Sequence, residues 1–200
     1  MTLYIIRHGQ TDWNAERRLQ GQRDIPLNAV GREQATGNGV LLKQLVGDLS
    51  HYRFVSSPLG RARETMERAR NAAGLDPTRY ELDDRLIEIC FGDWEGKTVR
   101  EIRAVTPDLV KARATDKWNF IAPGEGAESY EMLSRRVDGW LKSVGGPTVA
   151  VCHGGIIRSI FRLTGTEEHH AASMEIPQDQ ILRYRDGKLE WITSADVAAG

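Results

Sequence analysis

The sequence predicts an α/β fold: a three-layer sandwich with a mostly parallel central sheet, helices on both faces and a C-terminal hairpin. Three observations predict it. Short apolar runs that end abruptly at polar residues suit strands buried on both faces of a parallel sheet. Helical repeats separate those runs, and strands alternating with helices stack as helices over a sheet. Late in the chain, Asp186-Gly187 between two strand-like segments marks a tight hairpin turn, which adds antiparallel strands.

Leu3 to Ile6 is the first apolar run, and Tyr52 to Ser56 and Thr148 to Cys152 resemble it. Helices are expected at Ala29 to Val46 behind an Asn28 cap, at Arg61 to Ala73, and at Glu128 to Val144. The last of these spaces Met132, Leu133, Val137, Trp140 and Leu141 along one face. After Cys152, His153-Gly154-Gly155 reads as a loop feeding a mostly buried helix that carries Ile156, Ile157, Ile160, Phe161 and Leu163. The hairpin arms are Gln180 to Arg185 and Lys188 to Thr193. Between Gly96 and Ala127 the pattern weakens around Pro107 and Pro123, which suggests a helical excursion over the sheet and a candidate substrate cover.

With 200 residues, a single domain over 1–200 is expected, the excursion included. The 27 Lys and Arg nearly match the 28 Asp and Glu, and the formal net charge is −1. No global field therefore draws in nucleic acid or an anionic membrane, and any attraction for an anion must be local. Cys90 and Cys152 lack the clustering of a zinc site or a disulfide framework; they read as packing residues of a reducing compartment. The apolar start runs into Arg7-His8 too soon for a signal peptide, and no run is long enough to span a bilayer. These features make a soluble cytoplasmic protein with a small-molecule partner the expectation.

Open α/β sheets bind ligands beyond the carboxyl ends of their strands. Two strands here end there in histidine, Ile5-Ile6-Arg7-His8-Gly9 and Val151-Cys152-His153-Gly154-Gly155. A third leads through Ser56-Ser57-Pro58-Leu59-Gly60 to Arg61 at the start of a helix. If these strands are neighbours, Arg7, His8, Arg61 and His153 converge. Such a cluster suits a phosphoryl group, because guanidinium forks pair with phosphate oxygens and helix N-termini add backbone donors.

Further matches follow in order: Asn14, Gly21-Gln22-Arg23-Asp24 with Pro26-Leu27, Gly31 with Gln34-Ala35, and Leu86-Ile87-Glu88-Ile89-Cys90-Phe91-Gly92-Asp93-Trp94-Glu95-Gly96. In this ordered set the sequence resembles the histidine phosphatase superfamily, also called the phosphoglycerate mutase-like family, and in particular its phosphatase branch. The resemblance implies that His8 is the nucleophile and Glu88 the proton donor, with Glu95 second in line. It implies that Arg7, Arg61 and a protonated His153 hold the phosphoryl oxygens, and that Asn14, Gln20, Gly21 and Gly154 also meet the substrate phosphate. Small phosphorylated metabolites would be hydrolysed through a phosphohistidine, with arginine charge in place of a metal and with no cofactor. Two rival readings use the same parts. One is mutase-type transfer to another hydroxyl of a retained substrate; the other is a non-catalytic phospho-ligand binding module, which would be expected to lack the nucleophile or the acid.

Other residues read as structural. His51, His169 and His170 fit no motif, and Trp13, Trp94, Trp118 and Trp140 read as packing. Gly124-Glu125-Gly126-Ala127-Glu128-Ser129 partly resembles a Gly-Gly-Glu-Ser segment of the phosphatase branch, but Ala127 replaces the second glycine. Among Arg100, Arg103, Lys111, Arg113 and Lys117, most should be solvated helix surface, with room for one carboxylate-binding residue.

Overall fold

The computed structural model describes residues 2–165 and 171–198. Six strands form one sheet: β1 (Thr2–Arg7), β2 (Arg53–Ser56), β3 (Glu81–Leu82), β4 (Thr148–Cys152), β5 (Ile181–Arg185) and β6 (Lys188–Ile192), in the order β3-β2-β4-β1-β5-β6. The pairs β3-β2, β2-β4 and β4-β1 are parallel. The hairpin adds β5 antiparallel to β1, and β6 antiparallel to β5. Its turn places Asp186 at φ +51° and Gly187 at φ +78°, the left-handed pair that a two-residue hairpin loop requires.

Alternate residues of the central strands serve two cores. Leu3, Ile5, Ala150 and Cys152 pack with residues of α6 (Tyr130–Ser143) and α7 (Gly154–Leu163), Trp140, Leu133 and Ile156 among them. Tyr4, Ile6, Val149 and Val151 pack with Leu41, Leu42, Ala62 and Met66 of α2 (Ala29–Val46) and α3 (Gly60–Ala72). This is the physical meaning of the unbroken apolar runs: both faces of β1 and β4 are covered, so no polar alternation is needed. The Asn28 side chain caps α2 by accepting from Gly31 N at 2.9 Å, as expected.

Two short elements left no periodic signal. α1 (Asp12–Ala15) is one turn, held by a reciprocal capping box between Thr11 and Asn14. β3 is two exposed residues beside β2. Within the excursion lie α4 (Val99–Val105) and α5 (Pro107–Thr115), with Trp94, Ile102, Val110 and Ala122 forming a small third core. α8 (Ser194–Ala198) follows the hairpin. Among the described residues, no helix is long and apolar enough to cross a membrane. His169 and His170 lie outside the described residues.

Candidate active site

Sheet register assembles the site. Arg7 on β1 stands opposite Cys152 on β4, and His8 N donates to Cys152 O at 3.0 Å, so His8 and His153 leave the same sheet edge side by side. Their ring centroids are 5.0 Å apart. On the other flank of β4, Ser57 N donates to Val151 O, which brings the end of β2 and the start of α3 to the same edge. A close backbone crossing tightens this arrangement: a Cβ on Gly9 would sit 2.1 Å from Gly31 O, so only glycine lets the His8 loop lie on the start of α2.

The hydrogen bonds assign the tautomer of His8. Nδ1 lies 2.8 Å from Gly9 O, an atom that can only accept, so Nδ1 carries the proton and Nε2 keeps its lone pair. Arg61 Nε donates to that Nε2 at 3.3 Å. The Arg61 guanidinium is itself pinned by Arg23 O at 2.6 Å and Gly21 O at 2.7 Å. Arg7 Nη1 donates to Ile176 O at 2.5 Å, while Arg7 Nε is buried without a partner. His153 is fully buried, with Nε2 2.8 Å from Ser57 Oγ and Nδ1 unpartnered.

Burial, then Arg61 and Arg7, holds His8 well below the ordinary imidazole range. Burial and then Arg61, His8 and Arg7 hold His153 there too. Both directions favour the neutral imidazoles, burial being the larger cause and the two guanidiniums the next. Arg7 itself is brought down to about 10, by burial first and then by Arg158. Because the unfolded chain protonates both histidines near pH 6.5 and the folded chain does not, it binds more protons below that pH. Stability should then fall with acidification by about 1.4 kcal/mol per pH unit for each histidine, until the folded values are reached. Urea midpoints measured from pH 7 to pH 5 check this, and the His153→Gln variant should show a shallower decline.

Glu88 faces the same cleft. Its Oε1 accepts from Ile89 N at 2.9 Å and Gly155 N at 3.1 Å, which seats the carboxylate at the N-terminus of α7. A Cβ at Gly155 would lie 2.2 Å from Glu88 Oε1, so that seat requires glycine. Glu95 does something else: it accepts from Gln22 N at 2.9 Å and Phe91 N at 3.2 Å and pairs with Arg23 at 3.5 Å, tying two loops together. Glu128 pairs with Arg136 and accepts from Cys90 N, and Ser129 caps α6; both are structural.

A cleft of about 340 Å³ opens over His8, lined by the predicted Arg7, Asn14, Gln20, Gly21, Arg61 and Glu88. His153 and Gly154 are buried behind it. The sequence reading did not foresee Arg17, Arg18, Tyr130 or Arg158 in this lining. Arg158 could have been found, since it stands four residues after Gly154 and so on the same helix face. Of the five basic residues named in the excursion, Arg113 and Lys117 reach the cleft, whereas Arg100, Arg103 and Lys111 are exposed. Burial, with Arg113 and Arg158 nearby, lowers the Lys117 ammonium to about 8.

A buried imidazole with an unprotonated nitrogen, flanked by guanidiniums at the carboxyl edge of a parallel sheet and faced by one carboxylate, defines an enzyme that handles phosphoryl groups. Residues 3–194 match the histidine phosphatase superfamily (branch 1), and the chain belongs to that family. It is 34% identical over 164 residues to phosphoglycerate mutase-like protein 4 of Arabidopsis thaliana, covering 80% of this chain and 69% of that one. It is 33% identical over 171 residues to glucosyl-3-phosphoglycerate phosphatase of Mycolicibacterium vanbaalenii, covering 79% and 71%. Among solved structures, TTHB049 from Thermus thermophilus matches with a TM-score of 0.72 and 28% identity, covering 96% of this chain and 99% of that one. A mycobacterial glucosyl-3-phosphoglycerate phosphatase in complex with VO3 matches with a TM-score of 0.73 and 28% identity, covering 96% of both chains.

Proposed function

We propose that this protein hydrolyses a small phosphomonoester through a phosphohistidine on His8. The observation that carries this reading is the unprotonated Nε2 of His8, presented beside Arg61 in a cleft that also holds Glu88. Nε2 attacks phosphorus in line while Arg7, Arg61 and the Asn14 amide hold the equatorial oxygens. The ester P–O bond breaks and Glu88 gives its proton to the departing alkoxide. Glu88, now a carboxylate, takes a proton from water as the water oxygen attacks phosphorus; the P–N bond breaks and phosphate leaves. His153 takes up a proton as the dianion enters, because the added negative charge reverses the balance that keeps it neutral.

The cation excess of the cleft supports a finer reading of the substrate. Beyond the phosphoryl site, Arg113, Lys117 and Arg158 line the same cleft, and Glu88 is its one acidic lining residue among the described residues. A second anionic group on the substrate, a carboxylate or another phosphate, satisfies them. A phosphate-release screen tests both readings, run with and without a chelator on ester pairs that differ only by a carboxylate. The carboxylated member should be preferred, and Lys117→Met should lower its kcat/KM by about 10- to 100-fold while sparing p-nitrophenyl phosphate. KM for the carboxylated ester should rise as pH passes about 8, where Lys117 loses its charge. Equal losses for both esters would remove Lys117 from substrate recognition.

A further inference from the structure

Four cleft residues are fastened by one short segment between the 3₁₀ turn at Ala171–Ser173 and β5. Arg158 donates to Met174 O at 2.9 and 2.7 Å, and Arg7 donates to Ile176 O. Two residues further on, the Gln178 side chain donates from Nε2 to His8 O at 2.9 Å and to Asn14 Oδ1 at 3.2 Å. Gln178 is held in turn, since its own carbonyl accepts from Nδ2 of Asn38, a buried residue of α2, at 2.9 Å.

Backbone groups dictate which way both amides face. The His8 carbonyl can only accept, so Gln178 must present its NH₂. The Thr11 N–H can only donate, and it reaches Asn14 Oδ1 at 3.1 Å, so Asn14 must present its oxygen to that side. What Asn14 then has left for the cleft it lines is the Nδ2 amide, a donor suited to a phosphoryl oxygen. One NH₂ group, on Gln178, uses its two N–H bonds to join the nucleophile's own carbonyl to that donor.

We propose that Gln178 is a positioning residue for phosphoryl transfer, holding the Asn14 Nδ2 donor in register with His8. This rests on His8 and Asn14 handling the phosphoryl group as proposed above. Gln178 touches no reacting atom; it acts through the Asn14 amide and through the His8 carbonyl, so part of its contribution is lost when the Asn14 amide is removed. Its loss leaves the positive charge of the cleft intact and leaves Thr11 as the remaining hold on the Asn14 amide, and positioning errors of that kind lower kcat more than they raise KM.

A double-mutant cycle tests it, with Gln178→Met, which keeps length and removes the donor, set against Asn14→Ala. Kinetics on p-nitrophenyl phosphate, vanadate affinity by calorimetry and the thermal midpoint are read for all four proteins. Gln178→Met is expected to lower kcat about tenfold and to weaken vanadate several-fold, with KM nearly unchanged. In the Asn14→Ala background the same substitution should cost clearly less in both quantities, because only the bond to the His8 carbonyl is then left to lose. An equal loss in both backgrounds, or none in the wild-type background, overturns the proposal. If Gln178→Met does not fold, Gln178→Asn, which keeps the amide but shortens its reach, takes its place in the cycle. A wild-type protein that binds vanadate but releases no phosphate from any ester would defeat the hydrolase reading alone, because the vanadate arm still decides the role of Gln178.

Discussion

Replacing His8 with alanine is expected to reduce turnover by on the order of 10⁵-fold or more while the protein still folds. His8 sits at the sheet edge, where its ring meets His153, Arg61 and its own loop, and not within either apolar core. Truncation leaves Arg61 Nε without its acceptor, but the rest of the guanidinium stays held by Arg23 O and Gly21 O, which limits the stability lost. The chemical loss has no such compensation, because His8 is the one imidazole among the described residues lining the cleft. Brief reaction of the wild-type protein with a ³²P-labelled ester, followed by an alkaline detergent quench, should reveal a phosphoramidate that later acid treatment releases and that the variant lacks. Label that survives acid, or that persists in His8→Ala, would assign the nucleophile elsewhere.

Glu88→Gln should produce an effect that depends on the leaving group. A departing alkoxide is strongly basic and needs a proton as the P–O bond breaks, whereas nitrophenolate is stable as an anion. General acid catalysis contributes on the order of 100- to 10,000-fold. Phosphorylation of His8 by an alkyl phosphate should therefore slow by that order, and phosphorylation by p-nitrophenyl phosphate should be nearly spared. Dephosphorylation then lacks its base, so rapid mixing should show a nitrophenol burst equal to the enzyme concentration before a slow steady state. The glutamine keeps an oxygen to accept from Gly155 N, so the start of α7 should stay in place. If alkyl and aryl esters slow equally in the burst phase, Glu88 is not the proton donor. Glu95 is a poor substitute, since its carboxylate is engaged by the Gln22 and Phe91 amides and by Arg23.

Relatives named as mutases and as phosphatases both align with this chain, so the chemistry of the product cannot be taken from names. The parts shared by both reactions are those at the sheet edge. Under the reading proposed above, the contacts that separate substrates lie further out, at Arg113, Lys117 and Arg158, contributed by two separate stretches of chain.

The sequence by itself determined whatever depends on neighbours along the chain. The apolar runs of β1 and β4, the Asn28 cap, the Asp186-Gly187 turn and the ordered motifs carrying His8, Arg61, Glu88 and His153 are all local patterns, and each is where its pattern placed it. Only the tertiary structure decided what depends on distance in space. The insertion of β4 between β1 and β2 sets His8 beside His153 and Arg61, and burial at that edge, with Arg61 and Arg7 close by, pushes both imidazoles toward the neutral form. Gln178 stands 170 positions from His8 in the chain, so no periodicity or spacing could announce its bond to the His8 carbonyl; that contact exists because β5 returns antiparallel beside β1.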